Sequence, residues 1–513
     1  MKRNQMLDSV RRAAIVILVV VGVAASAAPI TYYVDVAAAP GGTGGASDPF
    51  NTITAAVAVL NADGGVLNGE GTVLVADGNY KALANGGNES FGVEGITLNK
   101  HMTIKGGYAG AGDWSEASRV PRTTDIDLTL AATRAFYQNV SSAGGSLFDG
   151  LTIRNANVNT TPAKDGGAIG MTSWWGAGMM INDCDFESNV TTGEGGAVYI
   201  LGTANDSSIR NSTFSGNSSA SNGGAVRWGP GFNGTHLIGD CDFTGNSAAT
   251  GGAVFVSANS NSGAVVRVEG STFSGNTATS SGGALFSSDG AGTPPVAVRQ
   301  SRFTGNSAPS GAAIGGSAYW HGEYYLENCL VSNNLGGYAI TAAGYRVTND
   351  YALDVVHSTI ADNAGGGISV TYYNEPSDLG LRVRDSIVAN NGAYGIYYNR
   401  NGGTGSAVLE YNDVWGQTSN YLLDAVAGAG SLSVTPGFKG VGAEPYALGM
   451  SSPLIDAATN LGIAVDLLGV ARPDGAGFAM GAFEVPVPEP ASLGLLAIGG
   501  LATVLRRRKA LAA

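Results

Sequence analysis

Cys241-Asp242-Phe243-Thr244-Gly245-Asn246-Ser247-Ala248-Ala249-Thr250-Gly251-Gly252-Ala253-Val254 is one copy of a phrase that is written about eight times between residues 178 and 400. The next copy reads Ser271-Thr272-Phe273-Ser274-Gly275-Asn276, then Gly282-Gly283-Ala284-Leu285. Aligned on its aromatic or aliphatic position, the phrase runs Phe186, Phe214, Phe243, Phe273, Phe303, Val331, Ile360 and Val388, in steps of 28 to 30 residues. Such a period marks a stacked array, in which each repeat buries its apolar face against its neighbours.

Four more columns keep the same register. Five residues earlier stand Ile181, Ile209, Ile238, Val268, Val298, Leu326, Val355 and Val383. Two earlier stand small residues: Cys184, Ser212, Cys241, Ser271, Ser301, Cys329, Ser358 and Ser386. Three later stands an Asn in every copy, from Asn189 to Asn391. An aliphatic residue follows the Gly pair or its relic, from Val198 to Ile396. Side chains alternate faces along a strand, so an apolar residue at −5 and a small one at −2 need a bend between them. Gly-Gly and Asn supply the other corners, since both tolerate positive φ. Coils stacked about 4.8 Å apart then give ladders of like residues. The fold class this predicts is all-β, a right-handed parallel β-helix.

The three cysteines share one column, two and three coils apart. At roughly 10 Å and 14 Å they lie beyond the Cα reach of a disulfide, about 7 Å. Three buried free thiols are expected, interchangeable with the serines of their column.

Outside the array the wording changes. Residues 1–27 read as a signal peptide, with Lys2, Arg3, Arg11 and Arg12 ahead of the apolar run Ala13 to Val23 and the small-residue site Ala25-Ser26-Ala27. Residues 28–146 read as an N-terminal cap and first coils. There Ile53, Ala56, Val57 and Leu60 at helical spacing predict a helix over the open end. The repeat array occupies 147–429 and a C-terminal cap 430–486. Residues 487–513 join Pro488-Glu489-Pro490 to the apolar run Ala491 to Leu505, a hydrophobic tail helix, and to Arg506-Arg507-Arg508-Lys509.

The signal peptide and the basic cluster after residue 505 hold eight of the 27 basic residues and one of the 40 acidic ones, leaving the rest with a net charge of −20. A body of that sign repels nucleic acid. With 79 glycines but 44% hydrophobic residues, the chain is rich in turns and still able to build a core.

Three resemblances follow from these residues. The tail resembles the PEP-CTERM sorting signal of Gram-negative bacteria. That likeness implies an inner-membrane intermediate, processing by an exosortase-type enzyme, and delivery to the cell surface or extracellular matrix. The Phe-x-x-Asn and Gly-Gly-Ala-Ile repeats resemble those of chlamydial polymorphic outer-membrane proteins and the wider pectin-lyase-like β-helix. Ser452-Pro453-Leu454-Ile455-Asp456 and Gly481-Ala482-Phe483-Glu484 are similar to the cap of choice-of-anchor surface proteins.

The pectin-lyase-like fold hosts polysaccharide lyases and hydrolases, so chemistry has to be sought residue by residue. No lysine lies between Lys164 and Lys439, which excludes a Lys base on the main array. His357 with Asp385, beside Arg384, forms a candidate acid/base pair; a charge ladder between coils is the alternative. Asp183 with Asp185, and Asp240 with Asp242, are candidate Ca²⁺ ligands, with no other cofactor implied. Tyr199, Phe255 and Phe286 should point outward, and with Trp320 in a loop they could stack on sugar rings. The functional expectation is a structural or adhesive extracellular protein in contact with polysaccharide. The alternative is a polysaccharide lyase or hydrolase acting in a groove.

Overall fold

A computed structural model describes residues 30–63, 71–140, 144–159, 165–172, 177–203, 206–230, 234–258, 265–289, 296–318, 324–344, 351–372, 379–402 and 406–485. The signal peptide, Trp320 and the tail with Pro488 to Lys509 lie outside them. Among the described residues, parallel strands build a right-handed solenoid with three long sheets. The first has 13 strands, from Ile30–Val34 to Ser406–Glu410. The second has 12, from Gly78–Lys81 to Asp413–Trp415, and the third 12, from Ile96–Leu98 to Ser419–Leu423. An arm of seven short strands, from Asn157–Val158 to Leu335–Gly336, fills the corner between the second and third sheets.

The columns pair in the register the sequence predicts. Phe186, Phe214, Phe243, Phe273 and Phe303 stand opposite one another in the second sheet and are followed by Val331, Ile360 and Val388. Their rings stack at 4.6 to 4.8 Å and within 8° of parallel. The ring spacing is the coil rise itself, so each Phe rests on its copy. Each such side chain contributes about 1.5–3 kcal/mol by burial. The three cysteines are free and buried. The Cys184 amide donates to Ser212 Oγ, and the Cys241 amide to Ser271 Oγ, which shows the serines doing the column's polar work.

The bend between −5 and −2 has a single cause. The residue at −3 is left-handed in every copy: Asp183, Asn211, Asp240, Gly270, Gln300, Asn328, His357, Asp385. The position two after the Phe is left-handed too, from Ser188 through Gly216, Gly245, Gly275 and Gly305 to Asn390. The Asn that follows does not itself supply the positive φ expected of it; it holds the corner through its side chain. Asn276 Nδ2 donates to the Phe243 carbonyl at 3.0 Å and to Asn306 Oδ1 at 2.9 Å. Its own Oδ1 accepts the amide and the side-chain N–H of Asn246, both at 2.9 Å. The ladder repeats this from Asn189 to Asn391.

Helix α1 (Ile53–Ala62) closes the N-terminal end, burying Ile53, Ala56, Val57 and Leu60. Thr52 Oγ1 caps the Ala55 amide at 3.2 Å. The buried Glu89 carboxylate accepts the amides of Ile53 and Thr54 and the Thr54 hydroxyl, meeting the positive end of the helix dipole. Among the described residues no helix is long and apolar enough to cross a membrane.

The segment expected to cap the other end begins on the last coil and then leaves it. Residues 430–434 lie on the last coil, where Leu432 pairs in parallel with Asp413, and residues 436–485 fold back along the outer flank of the second sheet as a strap. Arg302 pairs with Glu444 through two bonds of 2.9 and 2.7 Å. Gln300 Nε2 reaches the Asp466 carbonyl and Asn328 Nδ2 the Val465 carbonyl. Beneath the strap, Leu330, Ala361, Ile387 and Ala389 pack against Tyr446, Leu448, Leu454, Met480 and Phe483. The reason lies in the outward columns of that sheet. They carry Thr213, Ser215, Asp242, Thr244, Thr272 and Ser274 in the early coils. They turn to Leu330, Ala361, Ile387 and Ala389 in the later ones, which need covering.

Candidate functional site

His357 and Asp385 occupy the left-handed bend column on neighbouring coils, where Asn, Asp and His are the residues that tolerate the backbone. His357 Nε2 lies 4.0 Å from Asp385 Oδ2, and both side chains are 0% exposed. The strap buries them. Asp385 accepts the Thr459 amide at 2.8 Å and the Thr459 hydroxyl at 2.6 Å. The Gly481 amide donates to the Asp385 carbonyl. Burial, then the Arg472 charge, pushes His357 down to about 3, so the imidazole stays neutral. Burial holds Asp385 above the usual carboxylate range against its bonds to Thr459. The pair is brought together as the sequence implies, but under a lid of protein that keeps substrate out. Arg384 is half-buried beside it. What the arrangement does is fasten the strap.

The carboxylates of the proposed Ca²⁺ sites separate by environment. Arg122 Nε binds Asp183 Oδ1 at 2.9 Å and Arg122 Nη1 binds Asp185 Oδ1 at 3.0 Å. A guanidinium from an earlier coil therefore sits where a cation was expected. Asp240 and Asp242 are exposed two coils on. Among the described residues no three metal-ligating side chains converge.

Tyr199, Arg227, Phe255 and Phe286 form one outer column of the third sheet, as expected from their shared position. Their exposure differs from the expectation. Tyr199 and Phe255 are only 6% exposed, while Phe286 is half-buried. Stacking along the column hides them: Arg227 lies 5.3 Å over the Tyr199 ring, and Phe255 and Phe286 stack at 5.7 Å. Tyr324 and Tyr325 are in the strand Tyr324–Glu327. Tyr324 points inward and donates to the Gly315 carbonyl at 2.6 Å.

The same face gathers charged groups, of which sequence reasoning missed Glu194, Arg134 and Glu94. Arg227 pairs with Glu194 at 3.0 Å. Arg134 lies 5.2 Å over Tyr137, and its guanidinium pairs with Glu94 at 3.4 Å. Gly170, between Tyr137 and Tyr199 in the column, makes the space: a Cβ there would meet Arg134 Nη1 at 2.3 Å. The signal was the Tyr137, Gly170, Tyr199 spacing, hidden because Arg134 precedes the regular array. Burial, the largest influence, pushes the Tyr199 phenol up to about 12.

Comparison with known proteins agrees with this architecture. Residues 233–412 match the right-handed beta helix region, residues 486–509 the PEP-CTERM protein-sorting motif, and residues 211–227 the Chlamydia polymorphic membrane protein repeat. No curated protein matches the chain. Among solved structures, pectate lyase Pel9A is similar at 12% identity and a TM-score of 0.41, over 88% of this chain and 96% of that one. A rhamnogalacturonan lyase is similar at 14% identity and a TM-score of 0.36, over 68% of this chain and 82% of that one. The chain is a right-handed parallel β-helix that ends in a match to a sorting motif for export, with the exosortase-type processing that motif implies.

Proposed function

We propose that this is a surface-held or matrix-released scaffold of Gram-negative bacteria, with a structural or adhesive role and polysaccharide contact along the third sheet. The observation that carries the reading is the attachment of the sorting motif. Val485 is buried against the flank of the solenoid, and the motif match begins at residue 486. Whatever holds residues 486–509 thus holds a chain that is packed onto the solenoid as far as Val485. A stiff rod fixed by its flank suits a surface layer or adhesin.

Polysaccharide cleavage needs an acid–base pair open to substrate. The pair expected from sequence, His357 and Asp385, lies beneath the strap, and Arg227 on the third sheet is taken up by Glu194. Both observations favour the scaffold. Incubation with neutral and acidic polysaccharides tests it: retention of polymer without new reducing ends or unsaturated product is expected. Product formed by the protein and lost in an Arg227→Ala variant would establish the enzymatic reading instead.

A further inference from the structure

The arm of short strands stops at Leu335–Gly336, while the three long sheets run on. In earlier coils the Gly-Gly corner is pressed against the arm. A Cβ on Gly252 would meet the Thr277 carbonyl at 2.6 Å, and one on Gly283 the Ser307 amide nitrogen at 2.8 Å. Beyond the arm this pressure ends and large side chains appear at the same place. Tyr338, Gly366 and Tyr394 stand opposite one another at the start of the third sheet. Tyr397 follows in the column of Thr341 and Ser369.

These three tyrosines form one group on the outer face. The rings of Tyr338 and Tyr394 lie 6.3 Å apart and within 16° of parallel, reaching toward each other across Gly366. A Cβ on Gly366 would meet Tyr338 Cδ1 at 2.6 Å, so the glycine is what lets the ring lie down. Tyr397 closes the third side at 5.9 Å from Tyr338, tilted by 51°. All three are half-buried, and Leu335, 54% exposed, ends the arm beside them. Among the described residues, no charged side chain bears on Tyr338. Burial and the two neighbouring phenols, with no carboxylate or cation among the causes, push Tyr338 up to about 12. The N-terminal half of the same face is different, because its aromatic rings are already covered by Arg134 and Arg227.

The geometry points to the ledge of Tyr338, Tyr394 and Tyr397 as a binding site for a neutral hexopyranose unit of a polysaccharide. The inference rests on the polysaccharide-contact reading above and gives it a place and a ligand class. A pyranose offers one face of C–H groups to a ring and a rim of hydroxyls to partners such as Thr341 and Ser369. Aromatic faces carry negative potential that attracts such C–H groups. The net charge of −13 on the whole chain disfavours a polyuronate at a site with no cation of its own.

Affinity electrophoresis in gels containing a neutral β-glucan or a polyuronate tests the site. The wild-type protein should be retarded by the neutral polymer and not by the polyuronate. Tyr394→Ala and Tyr397→Ala should each weaken retardation roughly tenfold in Kd, while Phe286→Ala leaves it unchanged. Circular dichroism of each variant checks that the solenoid is intact. Neutral-polymer binding that survives both Tyr variants overturns this site and leaves polysaccharide contact standing. Retardation by neither polymer overturns the polysaccharide-contact reading itself. Stronger retardation by the polyuronate overturns the ligand class.

Discussion

Replacing Asn276 by alanine tests the reading of the corner ladder directly. The side chain is fully buried and uses all of its hydrogen-bonding capacity, donating to the Phe243 carbonyl and Asn306 Oδ1 and accepting twice from Asn246. Removing it orphans two groups, the Asn246 amide and one N–H of the Asn246 side chain, while the Phe243 carbonyl keeps its ladder bond to the next coil. Asn306 Oδ1 keeps the Asn276 backbone amide at 3.0 Å. Each orphaned buried group costs about 1–3 kcal/mol. Allowing for relaxation, Asn276→Ala should destabilise by about 2–4 kcal/mol. Asn276→Asp keeps the shape but sets carboxylate oxygens against two acceptors, so it should cost more at neutral pH and recover as acid protonates it. Thr279→Ala on the exposed surface of the same coil should stay within about 0.5 kcal/mol. Urea denaturation followed by circular dichroism gives the magnitudes, and amide exchange at Asn246 gives the site. A loss below about 1 kcal/mol, with the Asn246 amide still protected, would refute the claim that the side chain holds the corner.

Other outcomes follow from the same structure. Burial pushes the thiols of Cys184, Cys241 and Cys329 up to about 12, so a disulfide-exchange reagent should find no reactive thiol in the native protein and all three in denaturant. His357 sits near 3 when folded, below its ordinary 6.5, so it costs nothing above pH 6.5 and the strap weakens as pH falls toward 3. Linkage puts that loss at about 2 kcal/mol by pH 5. Asp385 and Glu484, raised by burial, act in the opposite sense, and Arg384, Arg472 and Thr459 also face the site. The difference between wild type and His357→Asn in amide exchange at Thr459 and Ala482 isolates the histidine; identical pH profiles would contradict the assignment. Arg302→Ala should loosen the strap by about 1 kcal/mol, read as faster proteolysis within residues 438–450 while the solenoid stays intact. Processing in cells should fail in Glu489→Ala, and unchanged processing would count against the sorting role.

The solenoid was legible in the sequence because a coil repeats its own environment. Each Phe meets the Phe of the next coil and each Asn the next Asn, so spacing alone carries the contact information. The bend column was half legible: parity demanded a bend, and only backbone angles showed that Asp183, Asp240, His357 and Asp385 are there for their left-handed conformation. That explains why the acidic and histidine candidates looked like sites. They are turn residues whose polar side chains then found partners, Arg122 in one case and Thr459 in the other.

What the sequence by itself determined is the repeat, its register, the free thiols and the capping helix, since all of these rest on local or next-coil relations. Only the tertiary structure decided where the strap lies, because its partners are far away in the chain. Arg302 meets Glu444 and Asp385 meets Thr459, and no period connects them. The same holds for the exposure of the outer columns. A strand's alternation says that Tyr199, Phe255 and Tyr394 face outward. Whether a neighbouring coil then covers the ring, as at Tyr199 and Phe255, or leaves it open, as at Tyr394, depends on which side chains lean across a glycine.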